Sequence, residues 1–499
     1  MRLAELAPAS ALGAGGETEI TALAYDSRAV RAGGLFFCVS GYERDGHDYA
    51  RQALAAGAAA LVVERELALD VPQVLVESVR AAMGPIAARF NGDPTARLRV
   101  VGVTGTNGKT TTAFLVRALV QAAGEQCGLM GTVKSIVGGE ERAVTHTTPE
   151  AIDLQAEFRA MLDGGDRACA MEVSSHALEL ARVDGVRFAA AMFTNLTQDH
   201  LDFHETMEDY FQAKRKLFAG AGEQLNVINT GDPYGRRLAS ELGGAVTFAV
   251  DEPADYRATD VQESFEGCRF TLHTPGAQAR ELALPMPGRF NVANALGALA
   301  AVHALGVAEL DVLVGALEHG VRVPGRFEPV EEGQAFAVLV DYAHTPDSLE
   351  NVLRAARELT RDEDHHSGRL LCVFGAGGDR DRAKRPLMGE IGARLADVLI
   401  VTSDNPRSED PQLIIDQIME GCARATRAHA APPVRALADR RAAIEQAVGY
   451  ARAGDVLVIA GKGHEQGQEL AGGVKVAFDD VTVARDALRA RMAAAKLAP

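Results

Sequence analysis

Hydrophobic residues along this chain fall into short strand-length runs, separated by stretches in which they recur every three or four positions. Runs at 34–40, 60–63 and 74–76 predict strands, and alanine-rich helical patterns occupy 49–57 and 81–90. The turn Asn91-Gly92-Asp93-Pro94 then marks a boundary. Further runs at 98–103, 168–173, 188–193 and 225–229 alternate with helical patterns, the rhythm of a mostly parallel sheet covered on both faces. Residues 246–276 break that rhythm with period-two stretches and no long helix, as an antiparallel edge or insert would. A helix is predicted over 291–305, and Val323-Pro324-Gly325-Arg326 marks a second boundary. Strands at 336–342, 371–375, 398–403 and 456–460 repeat the α/β rhythm, 361–368 reads as a polar surface loop, and 480–495 as a closing helix. The expected fold is α/β in three domains: a small N-terminal α/β domain (1–96), a central domain with a mostly parallel sheet (97–325) and a Rossmann-like C-terminal domain (326–499).

One junction carries specific chemistry. The run at 98–103 leads into Gly105-Thr106-Asn107-Gly108-Lys109-Thr110-Thr111, and a helical pattern follows at once with Phe114, Leu115, Ala118, Leu119 and Ala122 on one face. Strand, glycine-rich loop, Lys-Thr and helix together predict a phosphate cradle of the P-loop kind. The glycines let backbone N–H groups face the ligand, Lys109 reaches the β/γ-phosphates and the Thr110 hydroxyl ligates magnesium. It is a variant, because Val103 stands where the usual motif has its first glycine and glycines stand at 102 and 105. The plainer alternative is a glycine turn followed by a surface lysine.

Composition narrows the partners. A net charge of −17 argues against nonspecific nucleic-acid binding and against an anionic membrane surface. The six cysteines, at 38, 127, 169, 268, 372 and 422, have no metal-type spacing and sit mostly in apolar runs, as buried free thiols of a reducing compartment would. No stretch suits a signal core or membrane span, so a cytoplasmic protein is expected.

Polar clusters follow the predicted strands. Glu172-Val173-Ser174-Ser175-His176, Thr194-Asn195 with Asp199-His200, Asp341-Tyr342-Ala343-His344, Asp404-Asn405-Pro406-Arg407 and Gly461-Lys462-Gly463-His464-Glu465 each sit at a strand exit. Any one could be a cap or turn. Five together predict a phosphate ligand and a second polar substrate held between α/β domains. Glu172 and His200 suit magnesium chemistry, although a structural histidine is the plainer reading of His200, and a solvated helical lysine that of Lys214.

The motifs GTNGKTT (105–111), EVSSHAL (172–178), TNLTQDHLDFH (194–204), GRFNVANALGA (288–298), DYAHTPD (341–347), GAGGDRDRAKRPLM (375–388), DNPR (404–407) and GKGHE (461–465) resemble the Mur ligase family, and its diaminopimelate-adding branch in particular. The resemblance covers nearly the whole chain. It implies a first domain for the uridine nucleotide, a second for ATP and magnesium, and a third for the incoming amino acid. It also implies an amide-forming reaction. ATP phosphorylates the terminal carboxylate of UDP-N-acetylmuramoyl-L-Ala-D-Glu, and the amine of meso-diaminopimelate attacks the acyl phosphate, for peptidoglycan synthesis.

By the same resemblance, Lys109, Thr110, Glu172 and His200 serve the metal and phosphate, and Lys214 is a carbamylated lysine that adds an anionic metal ligand. Asn294 contacts adenine, and Arg326 and Asp341 belong to the nucleotide site. Ser27, Tyr42, Glu43 and Arg44 match uridine-site positions, and Thr147, Thr148, Ser174 and Arg182 those holding the muramoyl peptide. Arg407 and Arg380 face the distal carboxylate of diaminopimelate, Asp404 with Glu465 accepts from an amine, Asn405 hydrogen-bonds, and Pro406 and Gly461 complete the pocket. Three positions depart from a common family pattern: Tyr25 for leucine, Leu180 for glutamine, and Gly467 for tyrosine. A monomer is expected. A nucleotide switch would give no reason for DNPR and GKGHE, and a vestigial scaffold none for keeping Lys109, Thr110, Glu172 and His200. Within the ligases, the lysine-adding form is the runner-up.

Overall fold

The computed structural model describes residues 1–7, 15–41, 44–144, 146–201, 203–220, 223–360, 368–425 and 434–497. The described residues build three larger sheets, each with helices packed against it. In the first, strands Ala22–Ala24, Gly34–Phe37, Ala58–Val63 and Gln73–Leu75 lie parallel and in chain order. The period of two sorts their side chains. Leu35, Phe37, Ala60 and Val62 face the Val79–Phe90 helix, while Phe36, Leu61 and Val63 face the Ala50–Ala55 helix. Ala22–Ala24 is a strand that the hydrophobic pattern does not predict, because Ala-Leu-Ala has no β-branched or aromatic residue to signal one. Ala151 and Ile152, from the helix Ala151–Asp163, complete one of these layers and seat the first sheet on the second.

The second sheet has eleven strands. Seven adjacent strands are parallel: Tyr256–Ser264, Val246–Val250, Leu225–Asn229, Phe188–Phe193, Arg99–Thr104, Ala168–Glu172 and Cys127–Met130. Each edge then turns antiparallel, through Gly267–His273 and Arg280–Leu284 on one side and Ser135–Val137 and Glu140–Arg142 on the other. The sheet is therefore mixed, with the predicted parallel order confined to its middle. In the anomalous stretch 246–276, the first two strands join the parallel order and the antiparallel insert begins only at Gly267.

The helix Lys109–Ala122 lies on this sheet beside Arg289–Ala304. Its buried face is Thr111, Thr112, Leu115, Val116, Leu119 and Val120, whereas Ala122 is exposed, so the real stripe is rotated from the predicted one. Alanines and a glycine along Arg289–Ala304 let the two helix axes approach closely.

The third sheet runs Glu328–Pro329, Ala337–Asp341, Val456–Ala460, Leu370–Phe374, Val398–Thr402, Val434–Leu437, parallel except at the first pair. Helices Pro346–Glu358, Lys384–Leu395 and Pro411–Arg424 cover one face, and Arg440–Tyr450 and Asp480–Leu497 the other. Because its three middle strands are parallel neighbours, Asp341, Phe374 and Ala460 end side by side. Of the predicted loop 361–368, only Gly368 lies within the described residues. All six cysteines are buried free thiols, and no helix among the described residues is long and apolar enough to cross a membrane.

Candidate active site

The phosphate loop leaves the buried strand Arg99–Thr104 and enters the helix Lys109–Ala122. Gly105 and Gly108 have φ of +149° and +84°, which side-chain-bearing residues resist. A Cβ on Gly105 would also collide with Thr194 Oγ1, and one on Gly108 with Asn294 Oδ1. Gly102 serves strand packing instead, since a Cβ there would come within 2.6 Å of the Phe188 ring. This accounts for the variant spacing, since Val103 is a fully buried strand residue. Thr106 N–H donates to Asn195 O (2.9 Å) and Asn107 N–H to Asn195 Oδ1 (2.9 Å), which fixes the loop against the neighbouring strand exit. Lys109 Nζ donates to Gly105 O (2.9 Å) and Thr106 O (2.8 Å), curling back over the loop. Burial lowers its pKa, while Glu172 and Asp199 oppose that shift.

Thr110 Oγ1 donates to Glu172 Oε2 (3.0 Å), and Glu172 also accepts from Thr132 N–H (2.8 Å) and Thr132 Oγ1 (3.2 Å). His200 and Lys214 do not join this pair. His200, with φ +54°, turns toward Asp199 (Nε2–Oδ2 3.4 Å), and burial holds its pKa down at about 4 despite that carboxylate. Lys214 is buried at 1% exposure, so the solvated reading is wrong. Its Nζ donates to Gly105 O (2.8 Å), the carbonyl that Lys109 also uses, and lies over the Tyr210 ring. Burial, then repulsion from Lys109, drives its pKa well below the usual lysine value. An unmodified ammonium seeks a carbonyl rather than a cation site, which is why the predicted four-residue metal set is only half assembled. Among the described residues, no three His, Cys, Asp or Glu side chains are grouped to hold a metal. Thr110 and Glu172 would suffice for magnesium, which keeps waters and phosphate oxygens among its ligands.

The third sheet's loops close over this centre. Arg326 Nη2 donates to Thr110 Oγ1 (3.0 Å), and its guanidinium stacks on Tyr342. Asp341 is buried, and its oxygens accept from Phe327 N–H (2.7 Å) and Ala343 N–H (2.8 Å), which shapes the backbone beside Arg326. Burial raises its pKa, against the pull of Arg326. Asn294 accepts from Thr112 Oγ1 (3.3 Å) behind Gly108. Sequence reasoning missed Asp347, whose Oδ2 accepts from Asn107 Nδ2 and Thr197 Oγ1, both at 2.8 Å. It also missed Lys384, which feels Asp199 of the central domain and Asp404 of the third.

Thr147, Thr148, Ser174 and Arg182 are contiguous with Glu172. Thr148 Oγ1 donates to Glu172 O (2.9 Å) and accepts from Ser174 N–H (3.2 Å), Arg182 Nη1 donates to Thr148 O (3.1 Å), and Thr147 shares a hydrogen bond with Thr132 (3.1 Å). Thr147 lines a cavity of about 260 Å³ that reaches Tyr25 of the first sheet's loop. The Tyr25 hydroxyl donates to Asp153 Oδ2 (2.8 Å), a bridge to the central domain that leucine could not make. Ser27 is buried nearby in sequence, Arg44 is exposed, and Tyr42 and Glu43 lie outside the described residues. Leu180 caps the short helix Ser175–Glu179 through its backbone alone, so nothing there calls for an amide side chain.

Asp404, Asn405, Pro406, Arg407, Gly461 and Glu465 converge at the carboxyl ends of Val398–Thr402 and Val456–Ala460. Asn405 Nδ2 donates to Glu465 Oε2 (2.7 Å). Lys462, fully buried, donates to Asn405 Oδ1 (2.8 Å) and Glu465 Oε2 (3.0 Å), with Asp404 Oδ1 at 4.0 Å. It offsets two carboxylates that would otherwise repel. Its place in the Gly461–Glu465 strand-exit cluster was the available signal. Gly461 (φ +118°) leaves room for Asp404 Oδ2, 2.5 Å from where a Cβ would be. Arg407 donates through Nη1 to Gly378 O (2.7 Å), while Arg380 is exposed and, among the described residues, bonds only Asp379 O (3.1 Å). Gly467 starts a hairpin strand where a Cβ would make ordinary 3.5 Å contact, so packing does not demand glycine. Beneath the pocket a buried ion pair ties the strand ends together. Arg440 donates to both Asp480 oxygens (2.7 and 2.6 Å), to Ala460 O (3.0 Å) and to Ser403 O (3.4 Å).

A phosphate loop, a Thr–Glu pair and a polar cluster at the carboxyl ends of the third sheet's strands occur in the same chain as three Mur ligase family matches, which follow one another in chain order. The family catalytic domain matches over residues 19–91, the middle domain over 103–302 and the "Mur ligase, glutamate ligase domain" over 325–463, so the chain belongs to the Mur ligase family. Within it, the chain is 46% identical over 489 residues to UDP-N-acetylmuramoyl-L-alanyl-D-glutamate–2,6-diaminopimelate ligase of Geobacillus kaustophilus, covering 96% of each chain. It is 46% identical over 497 residues to the ligase of the same name from Streptomyces coelicolor, covering 98% of this chain and 96% of that one. A solved structure of a ligase of that name superposes with a TM-score of 0.71 at 32% identity, covering 99% of both chains.

Proposed function

We propose that this ligase joins meso-diaminopimelate to the D-glutamyl γ-carboxylate of UDP-N-acetylmuramoyl-L-Ala-D-Glu, with ATP converted to ADP and phosphate through an acyl phosphate. The observation that carries the reading is the juxtaposition of two sites. Arg326, from the third domain, reaches Thr110 of the phosphate loop, and the pocket around Arg407 opens on the same domain's strand ends. Residues 1–96 hold the uridine nucleotide in this reading, 97–325 the ATP and 326–499 the amino acid.

A carboxylate is a poor electrophile, and phosphorylation supplies its leaving group. The attack brings two anions together, and Lys109, Arg326 and the loop N–H groups offset their repulsion where charge develops. Thr110 and Glu172 would hold magnesium, which would supply further charge neutralisation. Lys214 carries a carbamate in this reading. Two ammonium groups on the Gly105 carbonyl repel, and carbamylation would turn that repulsion into attraction while supplying an oxygen ligand. Thr147, Thr148, Ser174 and Arg182 orient the muramoyl peptide, with its carboxylate toward Glu172 and the loop. At the amino-acid end, Arg407 favours diaminopimelate over lysine, because lysine has no distal carboxylate to pair with it. UDP-linked and ATP substrates, with six free thiols, fit a cytoplasmic location.

The deciding experiment measures phosphate release with each substrate omitted in turn. Release that needs the uridine dipeptide and diaminopimelate together is expected. Release with ATP alone would refute the ligase reading.

A further inference from the structure

The antiparallel hairpin of Gly467–Glu469 and Lys475–Ala477 stands beside the Asp404–Arg407 loop, and nothing in the reaction described above uses it. Gln468 and Glu469 bond it to that loop. Gln468 Nε2 donates to Asp404 O (2.6 Å) and Ser403 Oγ (3.2 Å), and Glu469 N–H donates to Asn405 Oδ1 (3.0 Å). Arg407 N–H donates to Glu469 O (3.1 Å), and Arg407 Nε donates to Glu469 Oε2 (3.1 Å). The Arg407 backbone itself sits at φ +50°, a conformation that a non-glycine residue holds only when its surroundings fix it.

We propose that Glu469 is a positioning residue for Arg407 and thereby sets the preference of this pocket for an amino acid with a distal carboxylate. This rests on the diaminopimelate reading above. The geometry of the guanidinium supports it. Glu469 takes the Nε edge and Gly378 O takes one Nη1 hydrogen, so the long side chain is braced at two points. Among the described residues Nη2 makes no hydrogen bond, and it lies on the edge it shares with Nη1, where a guanidinium offers a carboxylate parallel donors. Without the brace at Nε, the Arg407 side chain regains rotamers that must be lost again on binding, and affinity for the distal carboxylate falls. The alternative is that Glu469 only staples the hairpin to the loop.

Steady-state kinetics on the full-length enzyme separate these. Glu469→Ala is expected to raise KM for meso-diaminopimelate about 10-fold, equivalent to about 1.4 kcal/mol, with kcat and the KM values for ATP and the uridine dipeptide unchanged. Its ratio of kcat/KM for diaminopimelate over L-lysine should fall by the same factor. Glu469→Gln keeps an acceptor for Nε and should recover most of the loss. In an Arg407→Ala background, Glu469→Ala should change nothing further, because the group it positions is gone. Equal losses for ATP and diaminopimelate, or an undiminished effect in the Arg407→Ala background, would overturn the positioning role and leave a hairpin staple. If the wild type fails to ligate diaminopimelate at all, the functional reading fails first. If the wild type prefers diaminopimelate and Glu469→Ala prefers it equally, only the inference fails.

Discussion

The phosphate loop and the amino-acid pocket are built on opposite principles. The loop's lysine folds back on carbonyls three and four residues away, and its glycines supply the backbone shape. The pocket is held by side chains whose partners lie 57 to 64 residues apart, as in Lys462–Asn405, Asn405–Glu465, Arg407–Glu469 and Gln468–Asp404. The loop takes its shape largely from its own backbone, pinned at Asn195 and Lys214, and suits a ligand common to many enzymes. A site made of distant side chains can be retuned one residue at a time, which suits the substrate that distinguishes one ligase from another.

The sharpest break should come at the loop. Lys109→Ala is expected to lower ligation by roughly 10²-fold or more while leaving the melting curve nearly in place, since it removes a charge from the transferring phosphoryl group and no core packing. Retention of more than about a tenth of the rate would remove Lys109 from the mechanism. Lys214→Ala should lose a comparable factor of about 10²-fold and be partly restored by short-chain carboxylates, and ¹³C-bicarbonate should give the wild type a carbamate resonance that the variant lacks. A fully active enzyme in carbonate-free buffer, with no such resonance, would dispose of the modification.

At the pocket the loss should be one of choice rather than of rate. Arg407→Ala is expected to reduce the kcat/KM preference for diaminopimelate over lysine by about 10–100-fold, because only diaminopimelate brings a distal carboxylate to the guanidinium. Unchanged preference would mean that another group selects.

The smallest effect is on pH dependence. His464, between the two regions, has its pKa lowered to about 4, chiefly by burial and then by Arg326, against the opposing pull of Glu465. The unfolded ring titrates near 6.5, so between about pH 6.5 and 4 the unfolded chain binds a proton that the folded chain excludes. Stability from this group is therefore complete above about pH 6.5 and is lost as pH falls toward 4. His464→Asn should flatten the melting temperature across that window, at roughly 2–4 °C per kcal/mol in a domain of this size. An equal slope in both proteins would show that other groups control it.

The contrast also explains what the sequence could tell. The loop and the strand-exit clusters were legible because each depends on a few consecutive residues at a strand end. Lys214 looked like a surface lysine because its own type dominates the reading. Its spacing four residues after buried Tyr210 put it on the inward face, and that spacing was the overlooked clue. The antiparallel edge at Ser135–Val137 with Glu140–Arg142 went unread because strands of three residues are too short to show a period, whereas the period-two stretches within 246–276 announced the other edge. Glu469 had no local signature, and Asp347 and Lys384, although inside the 341–347 and 375–388 motifs, matter through partners brought close by the fold.

The Arg440–Asp480 pair has a consequence for the order in which the protein is made. Arg440 grips the ends of the strands that bear Asp404 and Gly461, yet its counter-ion is the first residue of the closing helix, forty positions later. During synthesis the phosphate loop can mature as soon as its own sheet has emerged. The amino-acid pocket must wait, with a buried guanidinium lacking its carboxylate, until the closing helix leaves the ribosome. Nascent chains stalled just before Asp480 should therefore be cut by protease within 400–470 while 99–300 resists. Equal resistance in both segments would show that the pocket can set without its last clasp.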